Sequence, residues 1–176
     1  MFKKLAATAA VLGVAGFIAA AAVAGNHGRD FKTGLTGYEE VPAVSTTAGA
    51  EARVEVSRDG TELRYKVRYR NLEGEVTQAH IHLGQEDVNG GISVFFCSNL
   101  GNGPAGTPPC PPAPATVSGT LTAEDVVGPA VQGIAPGEFE ELVRALRAGV
   151  TYANVHSTKF PGGEVRGQLD GEDDRD

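Results

Sequence analysis

The chain has 176 residues, with 15 Lys and Arg set against 22 Asp and Glu, for a formal net charge of −7. Recognition of nucleic acid and of anionic lipid rests largely on Lys and Arg, so this acid surplus excludes both as expected partners. With 24 Gly, 10 Pro, no Trp and helical periodicity in only one place, the composition points to a mainly β chain.

In chain order, residues 1–24 read as an export signal. Met1-Phe2-Lys3-Lys4 is a short basic start, Leu5 to Ala22 is an apolar, Ala-rich run broken only by Thr8, and Ala22-Val23-Ala24 offers small residues where a signal peptidase reads them. Cleavage is expected after Ala24, leaving no stable membrane anchor. The alternative is an uncleaved anchor, since the run is nearly long enough to span a bilayer. No cysteine follows the run, so there is no lipoprotein attachment site. Cleavage removes two lysines and no acid, which lowers the charge from −7 to −9. Residues 25–30 read as a flexible leader.

Phe31 to Val41 reads as an opening strand, interrupted by Gly34 and Gly37 and stopped by Pro42. Ala50, Ala52, Val54 and Val56 alternate with Glu51, Arg53 and Glu55, the pattern of a strand with one wet face. Asp59-Gly60 signals a hairpin turn. Beyond it Leu63, Tyr65, Val67 and Tyr69 alternate with Arg64, Lys66, Arg68 and Arg70, a solvated stripe with acidic partners at Glu51 and Glu55. Gln78 to Gly84 and Ile92 to Phe96 supply two more strands around a turn rich in Asp, Asn and Gly.

Cys97 and Cys110 both follow the export signal, and an even count in an oxidising compartment favours a disulfide between them. Closing a loop of this length stabilises the fold by roughly 3 kcal/mol in the chain-entropy model. Their spacing matches no zinc pattern. Val117 to Leu121 reads as a short strand, followed by a capping Thr122 and the acids Glu124 and Asp125, which start a brief helix. Residues 136–148 form the one strong helix: Phe139, Leu142, Val143 and Leu146 make an apolar stripe, and Gly149 stands at its C-terminal end. Val150 to His156 and Glu164 to Leu169 are the last strands, joined by a turn at Pro161-Gly162-Gly163. Residues 170–176 carry five acids and no apolar side chain and read as a disordered acidic tail.

Successive side chains of a strand point to opposite faces. In Gln78-Ala79-His80-Ile81-His82-Leu83 the residues Gln78, His80 and His82 share one face, and in Tyr152-Ala153-Asn154-Val155-His156 so do Tyr152, Asn154 and His156. If the two strands are neighbours, His80, His82 and His156 converge.

Five stretches together resemble one family. They are Leu35-x-Gly37-x-Glu39-Glu40-Val41-Pro42, Ala79-His80-Ile81-His82-x-Gly84, Gly119-Thr120-Leu121-Thr122, Tyr152-Ala153-Asn154-Val155-His156-Ser157, and Pro161-Gly162-Gly163-Glu164-Val165-Arg166-Gly167-Gln168-Leu169. The combination closely resembles the CHRD (chordin) domain, in its single-domain exported microbial type, over residues 31–169. The family usually has Thr where Ser157 stands and Ile where Val165 stands, and the Pro-rich cysteine loop is a local insertion. The resemblance implies an exported, β-rich domain of open activity. Chordin itself binds growth factors of the bone morphogenetic class, a property that does not carry over to a lone microbial domain. The fold expected is an antiparallel β-sandwich or open barrel with one packed C-terminal α-helix.

Neutral imidazole suits copper and zinc, and a His-x-His strand with a third histidine is loosely similar to the copper site of the Cu/Zn superoxide dismutase sandwich. The leading expectation is therefore an exported binding protein, secreted or periplasmic, holding Cu or Zn through His80, His82 and His156. Gln78, Asn154, Glu164 and Arg166 are the supporting candidates, with Glu164 and Arg166 on one strand face and able to pair. The first alternative is an interaction module for an envelope or matrix protein, its histidines bonded to backbone carbonyls, Glu164 or Gln78. The second is a metal-dependent redox enzyme with a dismutase-like site, although the histidines and aspartate of a full bimetal set are missing. A further Cu(II) or Ni(II) motif exists only if cleavage follows Ala24, making Gly25-Asn26-His27 the N-terminus. No nucleophile elbow, zincin helix, phosphate loop or Cys-x-x-Cys is present, so no catalytic residue is expected. The acid pairs Glu39-Glu40, Glu86-Asp87 and Glu140-Glu141 are sequence neighbours that point apart and make no dyad.

Overall fold

Period-two alternation sets the architecture. In the strand Leu63–Arg70, Leu63, Tyr65, Val67 and Tyr69 are buried while Arg64, Lys66, Arg68 and Arg70 are exposed, so each residue goes to the face its polarity asks for. The computed structural model describes residues 28–171. The export signal, the Gly25-Asn26-His27 motif and residues 172–176 lie outside the described residues.

The strands are β1 (Asp30–Thr36), β2 (Gly49–Val56), β3 (Leu63–Arg70), β4 (Val76–Leu83), β5 (Gly91–Ser98), β6 (Ala115–Leu121), β7 (Thr151–Ser157), β8 (Val165–Gln168) and β9 (Asp170–Gly171). They form one antiparallel sheet in the order β5-β4-β7-β8-β1-β2-β3-β6, with β9 beside β1. Its ends approach each other: Tyr65 Oη on β3 donates to the Phe96 carbonyl on β5 at 2.7 Å, and the two rings lie 4.9 Å apart. The chain is mainly β, 41% strand, in a nearly closed barrel-like sheet with one longer helix. Of the two architectures expected, the barrel is the one observed. Inward side chains of every long strand fill its core, among them Val54, Val67, Ile81, Phe96 and Val155, and burial of such residues is the dominant favourable term in folding.

The helix α1 (Phe139–Arg147) buries Phe139, Leu142, Val143 and Leu146 in that core, as the stripe predicts. It starts later than the expected residue 136 because Gly137 adopts φ +87° and holds Pro136–Glu138 in a turn. Gly149, at φ +65°, ends it. The brief helix after Thr122 is a 3-10 turn (Ala123–Asp125) with a capping box: the Asp125 carboxylate accepts from the Thr122 backbone N–H at 2.8 Å.

Three boundaries differ from expectation. β1 stops at Thr36, and Gly37–Glu39 forms a 3-10 turn in which a Cβ on Gly37 would stand 2.3 Å from the Val44 carbonyl oxygen. Pairing begins at Asp30, inside the expected leader, and Arg29 O accepts from Val56 N at 2.8 Å. At the other end Asp170 and Gly171 pair with Lys32 and Phe31, so the sheet runs two residues into the expected tail. Backbone pairing needs no apolar side chain, and the fully buried Leu169 anchors the segment. Cys97 and Cys110 form the expected disulfide.

Candidate metal centre

β4 lies between β5 and β7 in the sheet. Its register with β7 sets Gln78 opposite His156, His80 opposite Asn154 and His82 opposite Tyr152. The condition for convergence is thereby met. Ala79 and Ile81 point into the core, and the histidines project from the outer face of the sheet. That outer face is itself covered: His80, His82 and His156 are 0%, 8% and 6% exposed. Phe95 and Tyr152 are buried with them and stand outside the barrel core cluster, so they belong to a separate outer layer.

Two turns build the cover and orient the rings. The Gly84–Gly91 loop folds back so closely that a Cβ on Gly90 would lie 1.6 Å from the Leu83 carbonyl oxygen, which only glycine tolerates. Its Gly90 carbonyl accepts from His82 Nδ1 at 2.9 Å, and its Gly90 N–H donates to Tyr152 Oη at 3.1 Å. The Pro161-Gly162-Gly163 turn supplies the Pro161 carbonyl, which accepts from His156 Nδ1 at 3.0 Å. A carbonyl only accepts, so both rings carry their proton on Nδ1 and present a bare lone pair on Nε2.

His82 Nε2 lies 3.3 Å from His80 Nδ1. The Nε2 atoms of His80 and His156 are buried without any hydrogen-bond partner. One ligand atom from each of the three rings falls within 4.8 Å of the others. Two nitrogens about 2.0–2.1 Å from a shared ion stand about 3.3–3.6 Å apart at tetrahedral or trigonal angles. The His80 Nδ1–His82 Nε2 pair has that spacing, and the ligand nitrogens of all three rings stay within 4.8 Å of one another.

Burial, helped by the repulsion of the neighbouring imidazoles, pushes His80 down to about 2 from its ordinary 6.5. Burial takes His82 down to about 4 and lowers His156 as well, against the raising effect of their carbonyl partners. All three are therefore neutral at physiological pH, which is the ligating form.

Around them, Tyr152 stacks parallel on His82 at 4.7 Å, and the Arg166 guanidinium lies 3.6 Å from the Tyr152 ring centre. Arg166 donates to the Gln85 carbonyl at 3.0 Å and to Asn89 Oδ1 at 3.5 Å, tying the covering loop to β8. Asn154 Nδ2 donates to both oxygens of Glu40, at 3.1 and 3.2 Å. Burial pushes the Glu40 carboxyl up to about 7, against the lowering pull of Asn154 and Arg166. Gly163 admits this contact, since a Cβ there would stand 2.6 Å from the carboxylate.

Of the supporting candidates, Asn154 and Arg166 flank the cluster, whereas Gln78 and Glu164 give the histidines no hydrogen bond. Gln78 Oε1 accepts from Asn102 at 2.9 Å. Glu164 accepts from Thr46 Oγ1 at 2.9 Å and from the Glu73 backbone N–H at 2.8 Å, so it and Arg166 have separate partners rather than each other. The reason is parity broken at the strand start: β8 begins at Val165, leaving Glu164 in the turn. Glu40 is the residue that sequence reasoning missed. The pair Glu39-Glu40 splits, with Glu39 exposed and Glu40 buried, and nothing in the two letters separates them.

Among the described residues no helix is long and apolar enough to cross a membrane. Searches of curated proteins and of solved structures return no match. The CHRD domain family model matches residues 31–169. With the barrel and the His-x-His strand in place, that match covers nearly all of the described chain, and the protein belongs to the CHRD domain family.

Proposed function

We propose that this protein is an exported binding protein, secreted or periplasmic, that holds one transition-metal ion, copper or zinc, between His80, His82 and His156. One observation carries the reading: three buried imidazoles bring ring nitrogens within 4.8 Å of one another, while Nδ1 of His82 and of His156 is anchored to a carbonyl and Nε2 of His156 has no partner. Buried polar atoms in folded proteins are ordinarily bonded, and an ion held between the rings would supply the partner that His156 Nε2 lacks. Anchoring one ring nitrogen to leave the other for an ion is how ligating histidines are held. The disulfide fits export to an oxidising compartment.

Metal content by mass spectrometry on protein from the exported fraction tests this. The wild type is expected to carry near-equimolar copper or zinc, and His80→Ala none. A wild type that is metal-free and cannot be loaded at neutral pH sinks the reading.

A second reading, a protein-interaction module, is favoured by Tyr38, Val88 and Val131, three of the four exposed large apolar side chains among the described residues, at 72%, 42% and 98%. All three lie on segments tied to the covering loop. Asn89 Nδ2 donates to the Val41 carbonyl, and the Gln132 side chain bonds Gly91 N and the Leu83 carbonyl. Cross-linking in the native fraction with and without Val131→Ser tests it: a partner lost in the variant supports a docking surface. A redox enzyme would be separated from either reading by turnover of superoxide or peroxide on the metal-loaded protein.

A further inference from the structure

We infer that the three-histidine centre, taken as the metal site proposed above, is built for copper in its monovalent state, Cu(I), rather than for a divalent ion. The donor set is the first reason. It consists of three imidazoles, with no carboxylate or thiolate among them, and both cysteines are committed to the disulfide. An ion bound there keeps its full charge in a buried setting. The desolvation cost of an ion rises with the square of its charge, so a divalent ion costs about four times as much as a monovalent one of the same size.

The surroundings offer no compensation. The Arg166 guanidinium, itself buried, lies 3.6 Å from the centre of the Tyr152 ring that stacks on His82, adding positive charge to the layer. Glu40 is the buried carboxylate of this region, and it is turned toward Asn154 and Gly163 rather than into the ligand cluster.

Coordination number is the second reason. Zn(II) is almost always four-coordinate, and Cu(II) prefers a tetragonal set. Either would need a fourth ligand, in most sites water. Here the three rings are buried, with His80, His82 and His156 at 0%, 8% and 6% exposed. Phe95 meets the His80 ring edge-on at 4.7 Å, and Tyr152 lies flat on His82 at 4.7 Å, so aromatic carbon occupies the flanks. A d10 monovalent ion is satisfied by three nitrogens in a trigonal arrangement and asks for no water. Imidazole alone does not choose between copper and zinc by softness. Charge and closure make the choice.

The test uses the processed full-length protein under anaerobic conditions. Cu(I) is offered in competition with bicinchoninate, and Zn(II) and Cu(II) are titrated separately, with His80→Ala and His156→Gln alongside and circular dichroism reporting their folding. The expected result is one Cu(I) per chain, silent in electron paramagnetic resonance and lost in both variants, with Zn(II) and Cu(II) weaker by about 100-fold or more. Zn(II) or Cu(II) bound through His80 as tightly as Cu(I) overturns the inference and leaves the metal centre standing. If none of the three ions binds a folded wild type, the metal centre falls, and this inference with it.

Discussion

The outer faces of the two halves of this barrel begin from the same alternation and end in opposite environments. On β1-β2-β3-β6 the outward side chains stay in water: Arg68 stands opposite Glu51, Arg64 opposite Glu55, and Arg53 reaches Asp30 at 3.3 Å. On β5-β4-β7-β8 the outward side chains His80, His82, Tyr152, Asn154, His156 and Arg166 are buried under loops, with Gln78 and Gln168 half-buried beside them. The buried polar atoms without a partner divide the same way. Among the described residues they belong to His80, Ser93, Thr151, Asn154, His156, Glu164 and Gln168, every one on or next to β5, β4, β7 or β8. Water satisfies polar groups on the first half at no cost to the fold. On the second half a buried polar group without a partner costs about 1–3 kcal/mol, so loops and neighbouring side chains have to supply what water supplies on the first.

If this contrast is right, substitutions should behave differently by face. The largest effect belongs to the shared core: Ile81→Ala, between the two histidines but pointing inward, should cost about 2–5 kcal/mol in urea unfolding while leaving metal stoichiometry at wild-type level. Loss of metal in that variant would show that the ligand geometry depends on core packing.

Next comes the metal itself. Loading at about 100 times the dissociation constant should stabilise the wild type by about 2.7 kcal/mol. His80→Leu should lose that increment, yet its apo form should stay within about 1 kcal/mol of apo wild type, because removing the unbonded buried Nε2 offsets the lost contact of Nδ1 with His82. A strongly destabilised apo His80→Leu would make the histidine a structural residue.

Smaller effects follow from protonation, and they run in opposite directions. The histidines have folded values below the unfolded 6.5, so their stability contribution is whole above about pH 6.5 and is lost as pH falls toward about 4 for His82 and about 2 for His80. Glu40, raised from 4.5 to about 7, takes up a proton on folding, so it costs stability as pH rises from 4.5 through about 7. Glu40→Gln should therefore stabilise the apo protein at pH 8 by about 1–2 kcal/mol, a value discounted for partial solvation, and by about a quarter of that at pH 5. Thermal melts at the two pH values check this; a loss of stability at pH 8 would mean the charged form is held by its neighbours. The smallest effect is expected on the wet half, where Arg68→Ala should stay within about 0.5 kcal/mol in the same melts.

Much of the fold was legible because alternation is a local code. The β2 and β3 faces, the α1 stripe and the pairing of Cys97 with Cys110 were each readable from a few neighbouring letters. So was the shared face of His80 and His82, which follows from their spacing of two. Glu164 shows the limit: parity counted through it as a strand residue, whereas the strand begins one position later and its carboxylate turns to Thr46 and Glu73. Glu40 shows another, since its burial comes from Asn154, over a hundred positions away.

The sequence by itself determined which residues alternate, which family they belong to, and which imidazoles share a strand face, because these depend on backbone geometry over a few residues. Tertiary structure alone decided that β4 and β7 are neighbours, that the Gly90 and Pro161 carbonyls set the ring protons, and that the polar face is dry. A strand pattern records that a face is polar, but whether water or a loop lies over it depends on where distant chain comes to rest.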